Sequence, residues 1–486
     1  MEFKFIKKVL CLVWGIFVIS ATVFYFVGGE QLYSASTDSG DMVQATNEIG
    51  EMVTGLTIEQ PFSFDGTEIS YICLLGTDFE RPIGGTMEVS LIDEKNEVLM
   101  QKDIDMGLFS QNNNIVEIRS DKPIKIIPNK QYILRIYSKD GSDGSVPSLY
   151  YGSSISLARG EAQISLRENE KAIVNGNKID GIICYQIFGS RELWFGHYYW
   201  HIVTVFAIVL LCFSYYIISA FKSGKDILVL RLLNAGKKYR FLLQQLVSRD
   251  FKSKYKRSIL GIFWSFLNPM LMMTVQYIVF STIFKSEIEN FAVYLLTGIV
   301  CYNFFSEVTN MCLTSIVGNA SLITKVYIPK YIYPISRTMS SLINFALSLI
   351  PLLVVMIATR VHITTSVFVL PFAVLCLMML SLGMGMILSC SMVFFRDTQF
   401  LWNVFNMIWM YMTPIFYPES IVSGHLSYIM KINPLYHIIR FFRTVLLNGV
   451  SPEPKAYLFC FISALIPLLF GAWIFKKSQD KFVLYL

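Results

Sequence analysis

Long apolar runs constrain this chain more than any other feature of its sequence. Eight stretches of about 20 residues carry few charges, and 54% of the 486 residues are hydrophobic against 16% charged. At 1.5 Å per residue, a helix of that length crosses the ~30 Å hydrocarbon core of a bilayer. The sequence therefore predicts eight transmembrane helices, at about 9–27, 198–221, 262–284, 291–316, 335–358, 366–394, 399–417 and 456–475.

Charge is divided unevenly along the chain. Residues 28–196 hold 25 Asp and Glu against 14 Lys and Arg, a net charge of −11, whereas the remainder holds 27 basic and 10 acidic residues. The cations stand at the edges of apolar runs, which follows the positive-inside rule and argues against nucleic-acid binding. We therefore expect a multi-pass protein of the cytoplasmic membrane, with both termini cytoplasmic and residues 28–196 extracytoplasmic.

The N-terminal apolar run predicts an anchor that stays in the membrane. Lys4, Lys7 and Lys8 precede it, its 19 residues exceed the core of a signal peptide, and no small-residue cleavage site follows. The polar region behind it alternates apolar and polar residues over 85–93, 113–120 and 131–138, with turn signals between these stretches. This pattern predicts a β-sandwich. Its exposed tyrosines suggest either packing or sugar binding, with Tyr71, Tyr137, Tyr150 and Tyr151 as candidates.

The sequence contains no motif for metal binding by cysteines and none for nucleotide binding. None of the nine cysteines forms a CxxC pair, so no metal site is predicted, and Cys73 with Cys184 are either free thiols or a disulfide. No Gly-rich phosphate-binding loop is followed by Lys and Ser or Thr, because Gly224-Lys225 continues to Asp226. We expect no catalytic residue and no cofactor in this chain, with any ATP and Mg²⁺ bound by a separate subunit.

The segment 222–260 is strongly basic, and part of it is amphipathic. Residues 222–257 contain 11 Lys and Arg against Asp226 and Asp250. From Phe241 to Tyr255 the apolar residues repeat at helical spacing. This predicts a basic linker followed by a helix that lies flat on the inner leaflet, with its cations toward lipid headgroups.

Several residues within the predicted spans suggest a transport path. Glu307 lies deep in an apolar run, with Asn303 and Asn310 on the same helical face. A carboxylate at that depth either lines water or belongs to a packing network. The candidate channel residues are Trp264, Phe304, Phe305 and Glu307, although aromatic residues in spans commonly serve packing alone.

Prolines interrupt the apolar sequence between 414 and 434. Pro414, Pro418 and Pro434 precede the amphipathic stretch 435–447. Such breaks are tolerated within a membrane where the backbone is buried or lines a cavity, so a re-entrant helical hairpin is expected. Arg440 and Arg443 lie on it, and headgroup anchoring is the role we expect for them.

Six segments together resemble one family. They are LVSRDFKSKYKRSILGIFWSFLNPM, YNFFSEVTN, NASLITKVYIPKYIYPIS, VFFRDTQF, TPIFYPES and NPLYHIIRFFRTVLLNG. In this order and spacing they resemble the membrane subunit of type 2 ABC exporters of polysaccharides and teichoic acids, over about 235–486. The resemblance does not extend to residues 1–234.

The resemblance implies a homodimeric permease that works with two copies of a separate ATPase and exports a glycan linked to undecaprenyl pyrophosphate. It implies a coupling helix that docks on the ATPase, with an exposed apolar face, at Asn319, Leu322, Ile323, Lys325, Val326, Tyr327, Pro329 and Lys330. The same reading assigns the lipid pyrophosphate and interface helix to Lys254, Tyr255, Lys256 and Arg257. It assigns the outer gate to Pro414, Tyr417, Pro418, Arg440 and Arg443.

The predicted fold is a membrane all-α protein, with a six-helix permease core and two extra transmembrane helices, into which an extracytoplasmic β-sandwich is inserted. The predicted domains are an anchor at 1–27, the sandwich at 28–196, a second transmembrane helix at 197–221, the linker and interface helix at 222–260, and the permease at 261–486. Two other functions stay open, a glycan chain-length regulator or sensor and an ion-driven carrier. The acidic outer region favours a neutral glycan over a polyphosphate.

Overall fold

The computed structural model describes residues 3–39, 42–43, 45–111, 114–152, 170–225, 227–255, 263–284, 290–325, 328–419 and 425–485. These residues divide into two compact units. One is β-rich and spans Tyr33–Gly196, and the other is helical and contains Met1–Leu32, His197–Ile421 and Tyr428–Leu486.

The β-rich unit is built from two antiparallel sheets. Its strands are β1 (Ser34–Asp38), β2 (Asn47–Glu51), β3 (Thr57–Ser63), β4 (Glu68–Thr77), β5 (Thr86–Ile92), β6 (Val98–Asp105), β7 (Ile115–Lys125), β8 (Gln131–Ser138), β9 (Ser148–Gly152), β10 (Ile173–Val174), β11 (Asn177–Lys178), β12 (Ile182–Ile183) and β13 (Tyr185–Glu192), with the short helix α2 (Leu108–Gln111). One sheet has the order β1-β13-β4-β9-β12, with β7 also paired to β4 and β2 to β9. The other has the order β11-β10-β3-β8-β5-β6.

Alternating side chains explain why these segments form a sandwich. In β8, Tyr132, Leu134 and Ile136 are buried while their neighbours are more exposed, as the period of two requires. Buried residues of both sheets, such as Ile136 and Ile187, belong to one apolar core. The three stretches expected to be strands correspond to β5, β7 and β8, so the prediction of a β-rich N-terminal region is confirmed.

The cysteines of this unit are free thiols. Cys73 and Cys184 are both buried, and no disulfide joins them. Loss of hydration on burial raises the pKa of the Cys184 thiol to about 11 and raises that of Cys73 as well. Both thiols are therefore protonated near neutral pH and are poor nucleophiles.

The helical unit contains the apolar spans and several shorter helices. Its helices are α1 (Phe3–Gly28), α3 (Trp194–Lys222), α4 (Leu228–Tyr255), α5 (Phe263–Phe284), α6 (Phe291–Leu313), α7 (Ala320–Lys325), α8 (Ile332–Ala358), α9 (Leu370–Phe394), α10 (Thr398–Met412), α11 (His425–Ile432), α12 (Pro434–Leu446), α13 (Pro454–Ser478) and α14 (Phe482–Tyr485). Helix α6 is the most enclosed of the long apolar helices in the described chain.

Small residues allow two of the long helices to approach closely. A Cβ atom on Gly471 of α13 would lie 2.2 Å from the Gly383 oxygen of α9, and one on Gly383 would lie 2.5 Å from Pro467. Close backbone approach at small residues is a usual way for helices to associate in lipid. The first span is paired differently: α1 packs along α3, where the Trp14 Nε1 donates to Ser214 Oγ at 3.3 Å.

Six helices in the described part of the chain are long and apolar enough to cross a membrane, against the eight that the sequence predicts. The other two predicted spans correspond to α5, whose apolar section is Leu267–Phe280, and to α10, which has 15 residues. The predicted span 399–417 ends too late. Pro414 pushes Thr413 into extended backbone, with φ −100° and ψ 130°, and α10 ends at Met412.

Candidate functional site

A buried acidic residue connects two helices at one end of the helical unit. The side chain of Asp250, near the end of α4, is only 4% exposed. Its Oδ2 atom lies 2.8 Å from Nη1 of Arg337 on α8, and its Oδ1 atom lies 3.2 Å from Nη2 of Arg249. Asp250 therefore forms a two-sided ion pair that holds α4 against α8.

The same cluster reaches the loop before α7. Both terminal nitrogens of Arg249 lie 3.4 Å from Oδ1 of Asn319, and the Asn319 Nδ2 donates to the Ser315 carbonyl at 2.8 Å. Asn319 is itself 5% exposed. Polar contacts thus run without interruption from the loop of α7 to α4 and on to α8.

An apolar cluster stabilises this arrangement. Leu246 of α4, Ile323 of α7 and Tyr333 of α8 are buried in one group with residues of α9, α13 and α14. The amphipathic helix was expected to lie on lipid, but part of its apolar face packs on protein. Phe241, which is 71% exposed, turns outward. The helix itself is confirmed by α4.

A cavity of about 390 Å³ adjoins the ion pair and extends to the predicted transport residue on α6. Its lining residues are Asp250, Ser253, Glu307, Met311, Arg337, Ser340 and Asn344. The Glu307 Oε1 accepts a hydrogen bond from Asn344 Nδ2 at 2.6 Å. The Glu307 carboxylate therefore both lines a cavity and accepts a hydrogen bond between α6 and α8. The sequence left open whether it has an exposed or a packing role, and the structure shows features of each.

The aromatic residues predicted for the channel have a different place. Phe304 and Phe305 are 3% and 0% exposed and belong to the core of the helical unit, where Phe304 contacts Phe345 and Phe305 contacts Trp409. The prediction that Phe304 and Phe305 line a channel is wrong, because both side chains are buried in the apolar core of the helical unit. Trp264 is 45% exposed, and Asn303 and Asn310 also lie on exposed surface of the described chain.

Leu322, Ile323 and Lys325 of the predicted coupling residues lie in the short helix α7, and neither apolar residue among these three is exposed. Ile323 is buried and Leu322 is half-buried, because both pack toward the apolar cluster. The side chain of Asn319 hydrogen-bonds Ser315 and Arg249. Helix α7 exposes Ser321, Thr324 and Lys325. Val326 and Tyr327 lie outside the described residues.

The far end of the coupling segment is tied to the C-terminal part of the chain. Lys330 donates through Nζ to the Gln479 carbonyl at 2.6 Å and lies 6.0 Å from the Phe482 ring centre. Pro329 lies three residues before the start of α8 at Ile332. The predicted lipid-phosphate residues are less visible: α4 ends at Tyr255, the side chains of Lys254 and Tyr255 are not described, and Lys256 and Arg257 lie outside the described residues.

A buried arginine organises the proline-rich break after α10. Arg443 of α12 is 6% exposed, and its guanidinium carbon lies 3.3 Å from the centre of the Tyr294 ring. It donates to three carbonyls, those of Pro414 at 2.7 Å, Ile415 at 3.2 Å and Tyr294 at 3.3 Å. Headgroup anchoring by Arg443 is therefore wrong, because backbone that left the helical hydrogen-bond pattern needs donors and this side chain supplies them.

The other predicted gate residues surround this arginine. The Tyr417 carbonyl accepts from Tyr294 Oη at 2.9 Å, and the Tyr417 hydroxyl donates to the Tyr411 carbonyl at 2.7 Å. A cavity of about 420 Å³ beside them is lined in part by Pro418, Glu419 and Arg440. Arg440 is exposed and reaches the Tyr436 hydroxyl at 3.3 Å. Pro414, Tyr417, Pro418, Arg440 and Arg443 are thus brought together.

Replacing Arg443 with methionine is expected to lower stability strongly. The change roughly keeps the volume but removes the hydrogen bonds to three buried carbonyls. The Ile415 carbonyl loses its side-chain donor, and the Pro414 carbonyl keeps only the Tyr294 hydroxyl at 3.4 Å, at roughly 1–3 kcal/mol for each unsatisfied group. The thermal unfolding midpoint of the purified protein in detergent measures the loss. Arg440→Met is the matched control on the exposed face of the same helix. Equal midpoints for the two variants would contradict the role assigned to Arg443.

The sequence reading missed the partners that complete both sites. Asp250 carries a usable signal, because it is a rare acid among 11 cations, whereas nothing near Arg337 in sequence points to α4. A further polar link joins α6 to α10, where the Tyr302 hydroxyl bonds Oδ1 of Asn406 at 2.9 Å and Asn406 Nδ2 donates to Ser306 Oγ at 2.6 Å.

The described part of the chain has six helices that are long and apolar enough to cross a membrane, with polar cavities between some of its helices. Residues 242–447 match the family described as ABC-2 type transporter. This range contains the ion pair of α4 and α8, the loop of α7, Glu307 and the Arg443 cluster. The helical part of the chain over 242–447 is therefore similar to the membrane domain of ABC-2 type transporters.

Individual relatives agree with this assignment. The O-antigen export system permease protein RfbA of Myxococcus xanthus is 28% identical over 256 residues, which cover 52% of this chain and 98% of the relative. The protein of the same name from Klebsiella pneumoniae is 29% identical over 244 residues, 50% of this chain and 93% of its own. The polysialic acid transport protein KpsM of Escherichia coli is 22% identical over 242 residues, 49% and 93% of the two chains.

Proposed function

We propose that this chain is the membrane subunit of an ATP-driven exporter that carries a lipid-linked polysaccharide outward across the cytoplasmic membrane. The observation that carries the proposal is the match of about half of this chain to 98% of an O-antigen export permease and 93% of a polysialic acid transport protein. The lipid carrier is an undecaprenyl pyrophosphate, and the cargo is an O-antigen-like glycan or a teichoic acid.

The arrangement of partners follows from the same proposal. Two copies of this chain form the pathway, and two copies of a separate ATPase bind ATP and Mg²⁺. In this arrangement α10 faces the second copy, and its side chains Phe400, Val404 and Ile408 are 72%, 59% and 48% exposed. Both termini and the loop of α7 lie in the cytoplasm, and the β-rich unit lies outside.

The polar contacts offer a route for coupling ATP use to the membrane helices. The ATPase contacts the exposed side of α7, with Ser321, Thr324 and Lys325. Movement of that loop reaches α4 through the contact of Asn319 with Arg249, and reaches α8 through the ion pair of Asp250 with Arg337. The cavity beside this ion pair also contains Glu307, so the moving elements border the space where the cargo enters.

Co-purification and depletion test the proposal. Tagged protein, isolated from its own cells in mild detergent, is expected to retain an ATPase subunit in a 1:1 ratio. Depleting the chain is expected to trap lipid-linked glycan inside the cell, as measured by its protection from an external glycosidase. A chain that purifies without any ATPase, and whose loss leaves surface glycan unchanged, would contradict the proposal.

A further inference from the structure

A row of four side chains crosses the outer face of the seven-stranded sheet. Asp38 of β1 pairs in register with Phe188 of β13, Phe188 with Tyr71 of β4, and Tyr71 with Arg119 of β7. The row thus consists of one acidic residue, two aromatic residues and one basic residue on neighbouring strands. Side chains directly opposite on adjacent strands lie close enough to form one continuous surface.

The aromatic pair has a defined geometry. The rings of Tyr71 and Phe188 are stacked, with centres 4.6 Å apart and planes 14° apart. The guanidinium carbon of Arg119 lies 5.5 Å from the centre of the Tyr71 ring, and Arg119 also pairs with Glu117 at 2.8 Å. The two rings therefore form one aromatic platform, in which Phe188 stacks on one side of the Tyr71 ring and Arg119, paired with Glu117, lies on the other.

This platform does not belong to the core of the sandwich. The inward neighbours Ile72, Ile118 and Ile187 are 1%, 0% and 0% exposed and form the apolar core on the opposite face of the same strands. Tyr71 and Phe188 are only half-buried and lie outside that core. Core packing therefore does not account for two stacked rings at this position.

A groove of about 390 Å³ runs beside the platform. Its lining includes Ser36, Thr37, Asp38, Ser70, Tyr71 and Phe188. The Thr37 hydroxyl donates to Asp65 Oδ1 at 3.1 Å, and the neighbouring Asp38 is an exposed residue. The strand register shifts between Phe188 and Gly189, and such a bulge commonly turns a side chain toward a functional surface.

These groups match one class of ligand. A pyranose ring offers an apolar face of C–H groups, which suits an aromatic ring, and a rim of hydroxyls, which suits a carboxylate and serine hydroxyls. A carboxylate in the groove disfavours an anionic ligand, and the nearby cation Arg119 is paired with Glu117. We propose that this groove, the Tyr71 groove, binds one or two sugar residues of a neutral glycan.

Sugar binding in the Tyr71 groove extends the proposed function. It rests on that function in one respect, which is that the bound sugar is part of the exported glycan. A sugar site on the β-rich unit would bind the exported chain after it has crossed the membrane. The groove itself is argued from the row of side chains and stands without the transport assignment.

Binding of neutral oligosaccharides to the purified full-length chain tests the Tyr71 groove. The probe is a panel of neutral pyranose oligosaccharides of two to six sugars, with polyglycerol phosphate as the anionic comparison. At least one neutral member is expected to bind the wild type at micromolar to millimolar Kd. Tyr71→Ala and Asp38→Asn are each expected to weaken that binding at least tenfold, since each removes one kind of contact.

Tyr137→Ala is the matched control, because Tyr137 is a 38% exposed tyrosine on the other sheet. Asp38→Asn preserves shape and guards against a folding defect in Tyr71→Ala, and thermal unfolding checks both variants. The proposal is overturned if no neutral glycan binds, if polyglycerol phosphate competes equally well, or if Tyr137→Ala has the same effect. Cellular depletion of the chain tests export independently, so failure of either idea is recognised separately.

Discussion

Arg337→Ala is expected to reduce glycan export at least tenfold and to destabilise the packing of α4 against α8. The side chain of Asp250 is almost completely buried, and its ion pair with Arg337 joins α4 to α8. Removing one partner of a buried pair leaves the other charge uncompensated, at about 3 kcal/mol or more, and Arg249 restores only part of that loss. Surface glycan and the thermal unfolding midpoint measure the two effects.

A charge exchange separates this ion pair from a general loss of packing. The double variant Asp250→Arg with Arg337→Asp is expected to regain part of the export that either single change abolishes. Arg240→Gln is the control on the same helix, because Arg240 is exposed. If Arg337→Ala exports as well as Arg240→Gln, the connection between α4 and α8 has no role in coupling.

Reversing the charges of Lys254, Lys256 and Arg257 to glutamate is expected to abolish export while leaving assembly with the ATPase intact. Lys254 lies in the last turn of α4, one residue after Ser253, which lines the cavity beside Asp250. Ammonium and guanidinium groups suit a pyrophosphate through charge-assisted hydrogen bonds. Glutamate at the same positions would repel the headgroup. Export and co-purified ATPase are measured on the same cells.

The matched control reverses Lys476, Lys477 and Lys481, which make an equal change in charge near the C-terminus. This variant is expected to keep most of its export, because the three lysines are not among the described residues that line the cavity beside Asp250. Full export by the Lys254 variant, or equal loss in both variants, would remove the lipid-phosphate role.

Local pattern was enough to predict the helical spans and the β-rich region. The apolar runs from 335 to 358 and from 456 to 475 correspond to α8 and α13 because length and hydropathy act within one segment. The span predicted to residue 417 extends beyond the end of α10, because hydropathy stays high up to Tyr417 whereas Pro414 forces Thr413 out of helical backbone. Local backbone chemistry prevailed over hydropathy there.

Contacts between distant residues were not predictable from one sequence. Asp250 and Arg337 are 87 residues apart, and Arg443 meets Tyr294 across 149 residues. An arginine at helical spacing on an amphipathic stretch has the same local pattern whether it faces headgroups or buried carbonyls. Leu322 and Ile323 show the same limit, since an apolar pair in a loop does not reveal which surface covers it.

The sheet order was equally hidden from local pattern. Tyr71 was a candidate among four tyrosines, but only the pairing of β4 with β13 and β7 brings it beside Phe188 and Arg119. Alternation fixes which side of a strand a residue occupies, whereas its neighbours depend on the long-range order of strands.

Reconstituted transport tests the central claim most directly. The purified chain is placed in proteoliposomes with its ATPase and a labelled undecaprenyl-pyrophosphate glycan, and the fraction of label that reaches the opposite leaflet is measured with time. The account predicts translocation that requires ATP and both subunits and that stops with a hydrolysis-deficient ATPase. Equal translocation by this chain alone, driven by an imposed ion gradient, would contradict it.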